Sequence, residues 1–501
     1  MASEGRQNVS LAHSLAAPDV HGEMPDATLT SVGSEVVLGF SEDDPENPLN
    51  WKPTDKWLII AQLSALSFIN PMASSMVAPT VEQTGQALGC DSSTLQAFAV
   101  SVFLIGYLAG GSIFAPLSEL YGRRLASLHP LEGSNWFFAL MNVCCAFSPN
   151  FSVLIFLRFL VGVGASGCLV IGSGIVADLF RLEERGKVIS ISSICPLIGP
   201  VIGPICGGFL AESAGWKWVY WLLAILSAAL GALMVLFNRE TNHRVLLDRR
   251  ALRRRRRSSG PNLAPLSEKK EAKTAYILLA LARPIKLLCL SPVAFLLSIY
   301  LAVVYGLLYL LFATIAMVFV EQYGWSTGLT GLSFLGVGVG QIVGILVVGY
   351  ISDASVSRRT QANNGKFEPE MRLAPSIWFA WLIPISFFIY GWTVDKKIHW
   401  IAPIIGMFPF GVGLMVVFAL ISTYVIDAFT DYAASAQACV TMTRSAVGGV
   451  LPLVAPAMYS RLGLGWGNTL LGFLAAALIV PGPALIFRYG GVLRQKYNVK
   501  L

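Results

Sequence analysis

Long apolar runs, separated by short polar segments, recur along most of the chain. Runs of about 20 residues are long enough to cross the ~30 Å hydrocarbon core of a bilayer as helices. The pattern predicts twelve spans in two sets of six, which begin at Trp57, Leu95, Asn135, Phe151, Val188 and Trp218, and then at Pro292, Leu329, Ser376, Trp400, Ala436 and Trp466. We therefore expect an all-α polytopic membrane protein built from two six-helix bundles related by pseudo-symmetry.

Hydrophilic stretches set the limits of these bundles. The predicted organisation is a disordered tail at 1–56, an N-terminal bundle at 57–237, a basic linker at 238–286, a C-terminal bundle at 287–487 and a second tail at 488–501. The first 50 residues are polar and acidic, so we expect no signal peptide there.

Basic residues are distributed unevenly between the two predicted faces. The linker carries five consecutive arginines at 253–257, whereas the opposite face holds only Lys217, Lys396, Lys397 and Arg461. Because cytoplasmic loops are enriched in Lys and Arg, both tails are predicted to be cytoplasmic. The arginine run is interpreted as a solvated topology signal rather than a nuclear signal or a specific lipid site. The net charge of +7 therefore indicates no nucleic-acid partner.

Composition narrows the class of protein further. Hydrophobic residues make up 55% of the chain and charged residues only 13%, which excludes an ordinary soluble domain. Neither paired carboxylates nor a His/Cys cluster with metal-ligand spacing is found, so we expect no enzyme, cofactor or metal site. The eight cysteines are interpreted as small apolar packing residues rather than a disulfide framework.

The segment GPVIGPICGG at 199–208 places helix breakers inside an apolar run. Gly199, Gly203 and Gly207 are four residues apart, so they share one helical face and allow another backbone to approach closely. Pro200 and Pro204 should bend the helix, and Gly208 follows directly. We expect this fifth span to pack against a helix of the other bundle. The alternative is a kinked helix that serves stability alone.

A short motif occurs in both halves. APLSELYGRR at 115–124 contains Glu119, Gly122, Arg123 and Arg124, and GYISDASVSRR at 349–359 places Asp353 and a basic pair similarly. A weak internal repeat of this kind is typical of transporter folds.

These motifs resemble those of the major facilitator superfamily. PLSELYGRR is similar to its loop motif between spans two and three, RFLVGVGASG at 158–167 to its span-four motif, and GPVIGPICGG to its antiporter motif in span five. DPENPLNW, RPIKLL, YGLLYLLF and residues 427–434 resemble the fungal twelve-span drug:proton antiporters. The resemblance implies a monomeric plasma-membrane carrier that exchanges protons for a small-molecule substrate. It also implies that the loop motif locks helix ends and that span five seals the cavity in the inward-facing state.

Several polar residues lie inside predicted spans. An arginine near mid-helix costs ~2.5–3.5 kcal/mol on insertion scales, so such residues usually face the protein interior and mark a pathway. Candidate cavity residues are Arg158, Arg444, Asn70, Gln341, Tyr305 and Tyr309. Pairing of either arginine with backbone carbonyls, for structure alone, is the alternative.

No Asp or Glu lies in the middle of a predicted span. A proton-coupled carrier needs a group that binds and releases a proton, and a buried carboxylate is the usual one. Proton coupling is therefore implied by the resemblance only, and Asp178 at the end of span four is the first candidate.

The third span departs from the family pattern. Only residues 135–147 form a clean apolar run, and those 13 residues rise ~20 Å, less than the ~30 Å hydrocarbon core. Either the helix is distorted around His129 and Pro130, or this copy is impaired.

The expected function is export of lipophilic compounds, such as drugs, toxicants or secondary metabolites. A site bordered by Arg158 and Arg444 should repel cations, which favours neutral or weakly acidic substrates. Uptake of a small metabolite and export of polyamines are the alternatives, because a fold does not fix direction or substrate.

Overall fold

The computed structural model describes residues 44–120, 130–180, 194–237, 283–366, 368–429 and 433–496, with a few further residues between 29 and 40 and between 184 and 250. Of the predicted site residues, Gly122, Arg123 and Arg124 lie outside the described residues, as do the side chains of Glu119 and Asp353.

The long elements of the N-terminal half are all helices. Its helices are α1 (Pro53–Ser75), α2 (Val81–Ala87), α3 (Ser93–Leu120), α4 (Pro130–Ala146), α5 (Phe151–Leu179), α6 (Ile194–Ala214) and α7 (Lys217–Phe237). Two short strands precede them, and β1 (Leu29–Val32) pairs antiparallel with β2 (Glu35–Leu38). This hairpin lies inside the segment that was predicted to be a disordered tail.

The C-terminal half has the same helical character. It contains α8 (Pro292–Tyr323), α9 (Thr327–Thr330), α10 (Leu335–Ala362), α11 (Ala374–Phe379), α12 (Leu382–Asp395), α13 (Ile401–Ala428), α14 (Ala433–Val450), α15 (Ala455–Leu478) and α16 (Pro481–Lys496). Short 3-10 turns connect or extend helices at Pro48–Asn50, Ala78–Thr80, Gly331–Phe334, Pro369–Leu373 and Leu451–Val454.

Helix length and hydropathy confirm a polytopic all-α membrane protein. Nine segments of the described residues are long and apolar enough to cross a bilayer. One of them, Ser435–Arg494, has 60 residues and is long enough for two crossings. Gly463, with φ of +73°, divides it within α15. The count of twelve spans stays a prediction.

Local sequence signals account for several helix ends. The Asn150 side chain accepts a hydrogen bond from the Val153 backbone N–H at 2.9 Å, which caps α5. The Ser291 hydroxyl caps α8 in the same way through the Ala294 N–H. Gly324 ends α8 in the left-handed conformation that glycine adopts without steric cost, at φ of +65°.

The predicted disruption of the third span is not seen within α4. This helix begins at Pro130, where the missing N–H of proline is harmless. It continues through Glu132 and Gly133. The Asn135 side chain donates to the Ser227 carbonyl at 2.9 Å and fixes α4 to α7. The helix has 17 residues, about 25 Å of rise, and His129 lies outside the described residues.

Glycines create equivalent close helix pairs in the two halves. A side chain on Gly162 of α5 would overlap the backbone of Phe103 in α3. A side chain on Gly411 of α13 would likewise overlap the backbone of Val337 in α10. The second and fourth long helices of each half are thus packed by the same device, which agrees with the internal repeat seen in the motifs.

The polar segment before α1 is attached to the linker. Arg250 forms a bidentate ion pair with Asp44, at 2.5 and 3.1 Å, and its Nε lies 3.1 Å from a carboxylate oxygen of Glu46. Burial raises the pKa of Asp44, but hydrogen bonds from Arg250 and from the Glu46 backbone outweigh it and hold that pKa below its ordinary value. The DPENP sequence therefore anchors the start of the linker beside α1.

Replacing Asp44 by Asn should release this anchor. Because the pKa of Asp44 is lowered in the fold, its contribution to the free energy of unfolding is complete above the unfolded pKa of ~3.9. That contribution is lost as the pH falls through the folded pKa. At neutral pH, Asp44→Asn should therefore accelerate cleavage of the linker by trypsin. The cleavage rate is measured by gel electrophoresis of the purified protein at successive digestion times. Glu46→Gln is the matched control, since Glu46 is 49% exposed and should contribute little. Equal cleavage rates for Asp44→Asn and wild type would show that the ion pair does not anchor the linker.

Candidate functional site

The two halves are joined near one face of the molecule, the face at which α1 ends and α3 begins, here called the far face. The Tyr309 hydroxyl donates to Ser74 Oγ in the last turn of α1 at 2.9 Å. Ser101 Oγ donates to the Gly449 carbonyl at 2.8 Å. Between α6 and α9, the Gly328 backbone N–H donates to a carboxylate oxygen of Glu212 at 2.9 Å. These bonds close the far face, whereas α1 begins and α16 ends at the opposite, near face.

The spaced glycines of α6 do not pack against the other half. A Cβ on Gly199 would lie 2.5 Å from the Phe68 carbonyl oxygen, and a Cβ on Gly203 would lie 2.5 Å from Ser75 Oγ. A Cβ on Gly207 would overlap the carbonyl of Met76. These partners all belong to α1 or directly follow it, so the face with the four-residue glycine spacing packs within the N-terminal half. The four-residue spacing specifies a close approach but not the partner helix.

The other half is instead contacted by the neighbouring positions of α6. A Cβ on Gly208 would lie 2.7 Å from the Thr327 carbonyl oxygen of α9. A Cβ on Gly331 would overlap the Pro204 carbonyl. The helix continues through both Pro200 and Pro204. The predicted inter-half contact of the fifth span therefore exists, but on the Pro204 and Gly208 side.

Arg158 lies inside the N-terminal half and not at its boundary. Its side chain is 0% exposed. Its Nε and both terminal nitrogens donate to backbone carbonyls, to Ala99 at 3.2 Å, Ala73 at 3.0 Å and Ser74 at 3.4 Å. The guanidinium also lies 5.3 Å from the Phe103 ring centroid. The prediction that Arg158 borders the cavity is wrong for this structure, and the alternative, pairing with carbonyls, describes it.

The end of α1 explains this arrangement. The last carbonyls of a helix have no N–H partner within the helix and carry partial negative charge. Since α1 ends at Ser75, the carbonyls of Ala73 and Ser74 are of this kind, and the buried cation of α5 satisfies them. Arg158 thus ties α5 to the end of α1 and to α3.

Five residues form what we call the tyrosine–arginine cluster: Tyr107, Tyr305, Tyr309, Phe418 and Arg444. The Arg444 guanidinium carbon lies 4.7 Å from the Tyr305 ring centroid and 5.0 Å from that of Phe418. The rings of Tyr305 and Tyr309 are 5.2 Å apart. Tyr107 of the other half lies near Arg444 and Tyr305. The Nε of Arg444 has no hydrogen-bond partner among the described residues.

The packing of α14 on α3 brings this cluster together. A Cβ on Gly448 would lie 2.6 Å from the Leu104 side chain, so the two helices approach closely there. One turn further from the far face lie Arg444 on α14 and Tyr107 on α3. Both are half-buried, as are Tyr305 and Phe418. The cluster therefore combines side chains of both halves and extends from the Tyr309 contact at the far face toward the near face.

The other predicted cavity residues are located elsewhere. Asn70 donates to the Ala165 carbonyl at 2.9 Å and joins α1 to α5. Gln341 is 5% exposed and lies where α10 packs on Gly411. The structure thus brings together Tyr305, Tyr309 and Arg444 of the predicted set.

Two members of the cluster were missed by the sequence reasoning. Tyr107 carries a usable signal, since it is a polar aromatic residue in the middle of an apolar run. Phe418 carries none, because its sequence context does not differ from that of a core phenylalanine.

Asp178 lies at the last turn of α5, away from the cluster. It is half-buried and accepts a hydrogen bond from the Thr241 hydroxyl at 3.3 Å. Cys168, which lies near Tyr107, precedes it by ten residues, or about 15 Å of helix. Its coupling role stays a prediction.

A cavity of about 480 Å³ lies between the halves on the far face. Glu82, Glu321 and Asp395 line it together with Thr314 and Tyr459. Its carboxylates give it a negative character opposite to that of the Arg444 environment. Among the described residues, no group of His, Cys, Asp and Glu could hold a metal ion.

Sequence comparison gives a clear result. The family profile described as Major Facilitator Superfamily matches residues 63–452. The efflux pump radE of Floropilus chiversii is 41% identical over 462 residues, which cover 92% of this chain and 85% of radE. The MFS-type transporter penM of Penicillium rubens is 42% identical, over 90% of this chain and 88% of penM. The MFS transporter cpaT of Aspergillus oryzae is 41% identical and covers 96% of both chains.

Solved structures show the same fold at low identity. The xylose transporter XylE from E. coli, in a partially occluded inward-open conformation, aligns with a TM-score of 0.63 at 15% identity and covers 87% of this chain and 98% of its own. A bacterial homologue of the human lysosomal transporter Spinster, inward-facing and unoccupied, aligns with a TM-score of 0.62 at 14% identity, over 89% and 98% of the two chains.

Proposed function

The chain belongs to the Major Facilitator Superfamily, and on that premise we propose that it exports lipophilic small molecules by proton antiport with alternating access. The observation that carries the proposal is the tyrosine–arginine cluster, which combines aromatic walls with one cation between the two halves. A relative of 41% identity is named an efflux pump, which supports export as the direction. Toxicants, drugs and secondary metabolites are the proposed substrates.

Alternating access agrees with where the halves touch. Their hydrogen bonds lie at the far face, and one of them is made by Tyr309; the other members of the cluster lie on the near-face side of those bonds. With both termini in the cytoplasm, as the charge distribution predicts, this arrangement is an inward-facing state. In that state the cluster receives substrate from the cytoplasm or the inner leaflet, and export requires the far face to open.

The cluster favours neutral or weakly acidic guests. Aromatic surface supplies affinity by apolar burial, at ~25 cal/mol per Å². Arg444 repels a cation, and the cluster contains no carboxylate to offset the cost of burying one. Polyamine export is therefore disfavoured, and uptake of a small metabolite is the second candidate function.

The remaining parts of the proposal concern coupling and location. Asp178 is proposed to bind the exchanged proton, because it is a half-buried carboxylate at the end of α5. The protein is proposed to act as a monomer in the plasma membrane with both termini cytoplasmic.

Accumulation measurements in a pump-deficient fungal host test the direction and the substrate class. Expression of this chain should lower the accumulation of labelled neutral or weakly acidic lipophilic toxicants several-fold, and a protonophore should restore it. One control is a host with the empty vector. A second control is a host that expresses an unrelated carrier at the same surface level. Increased accumulation would indicate uptake. Lowered accumulation of labelled polyamines alone would contradict the proposed substrate class.

A further inference from the structure

We propose that Arg444 is the anion-binding residue of the substrate site, and that the preferred substrates are hydrophobic acids with a planar ring beside the acidic group. This inference rests on the proposed export function and specifies its substrate class.

The bonding of Arg444 differs from that of the other arginine discussed above. Arg158 has a carbonyl acceptor for its Nε and for both terminal nitrogens. Arg444 lies between two aromatic rings, and its buried Nε has no acceptor among the described residues. Ring faces attract the positive charge, but they do not replace the directed hydrogen bonds of a guanidinium. Arg444 therefore retains donor capacity that a bound ligand can use.

The charge of Arg444 is also not neutralised by an ion pair with a described residue. The ion pairs of the described residues lie elsewhere, such as Arg372 with Asp427 and Arg494 with Glu370. A buried cation without an opposing charge is unfavourable in a low-dielectric environment. A carboxylate, phenolate or enolate that enters the cluster supplies that charge, and a carboxylate accepts two parallel bonds from the guanidinium.

The surrounding rings define the rest of the ligand. Tyr305 and Phe418 are half-buried and present ring surface to the guanidinium, and the half-buried Tyr107 lies nearby. A planar apolar ring stacks on such surfaces, and stacking beside Arg444 places an attached acidic group within reach of its nitrogens. The acidic lining of the far-face cavity cannot serve the same anion. The structure thus offers one described place for it.

Binding of a matched pair of ligands tests the proposal. The purified full-length protein is assayed by scintillation proximity with tritiated 1-naphthoate and 1-naphthamide, which share ring and shape and differ in charge. Wild type should bind the acid about tenfold more tightly than the amide, the difference that a charge-assisted hydrogen bond provides. Arg444→Gln should reduce this ratio to about one, and Arg444→Lys should give an intermediate ratio because it keeps the charge without the fork.

A matched arginine provides the control. Arg488 also stacks on a tyrosine, at 5.7 Å from the Tyr489 ring centroid, but it is exposed on α16. Arg488→Gln should keep the wild-type ratio. If Arg444→Gln does not fold, the wild-type ratio and that of Arg444→Lys decide the matter.

The possible results separate this inference from the export function. Equal affinities of wild type for acid and amide would overturn the role of Arg444, and so would an undiminished preference in a folded Arg444→Gln protein. If the wild type exports neutral toxicants but shows no preference for the acid, only the inference fails. If expressing cells export neither kind of compound, the proposed function itself fails.

Discussion

Arg158→Leu is expected to destabilise the N-terminal half severely. The substitution removes the donors to three carbonyls, and the two at the end of α1 then have no helical partner. Each buried polar group left unsatisfied costs ~1–3 kcal/mol, so the total is a large part of a typical stability of ~5–15 kcal/mol. Thermal unfolding of the detergent-purified protein should show a midpoint lower by on the order of 10 °C.

Two further variants make that experiment specific. Arg158→Lys keeps a charge that can reach one or two of the carbonyls and should lose about half as much stability. Arg488→Leu changes an exposed arginine of α16 and should unfold like wild type. If Arg158→Leu were as stable as wild type but defective in transport, Arg158 would act in the substrate pathway and not only in folding.

The two arginines show what sequence can and cannot predict at this site. Arg158 and Arg444 occur at similar depths in their predicted spans, and the insertion cost marks both as facing the interior. The structure shows Arg158 fully buried and Arg444 half-buried. Their different surroundings depend on which helix end or ring comes near. The contacts of Arg158 are with residues 59 to 85 positions away, and those of Arg444 are with rings on two other helices. No local pattern contains that information.

The glycines of α6 illustrate the same limit in backbone packing. A four-residue spacing correctly indicates a face that another backbone approaches closely. The partner is α1 rather than a helix of the other half, because α6 packs between α1 and α9 and presents small residues to both. The sequence contains glycines for both contacts, at Gly207 and Gly208, but it does not rank them.

The helical fold itself was predictable to a large extent from the period and length of the apolar runs. Bilayer thickness and backbone hydrogen bonding leave few alternatives to helices for such a chain. The breaks within helices were harder to predict. Gly463, with its φ of +73°, divides α15 at a position that its apolar context does not distinguish from other glycines in spans.

Gly207 and Gly208 are neighbours on α6 but contact different halves of the protein. We therefore expect substitutions at these two positions to affect folding and transport differently. Gly207→Leu places a side chain against the Met76 carbonyl within the same half, so it should destabilise the protein in every state. Gly208→Leu places one against Thr327 and Gly328 of the other half, contacts that the proposed alternating access would break when the far face opens. We expect Gly208→Leu to fold with near wild-type thermal stability and to lose export by about tenfold or more, because ~1–3 kcal/mol of overpacking acts on one state only.

The state of the far face can be measured directly in the same variants. Ser460 is exposed and lines the far-face cavity, so a cysteine there reports its opening to a membrane-impermeant maleimide. In a background in which the native cysteines are replaced, Gly208→Leu should raise the labelling rate of Ser460→Cys, since the closed state is disfavoured. Gly207→Leu, if any folded protein is recovered, should leave that rate unchanged per folded molecule. Normal export by Gly208→Leu, or normal stability of Gly207→Leu, would contradict the prediction that one face of α6 determines stability and the other determines closure of the far face.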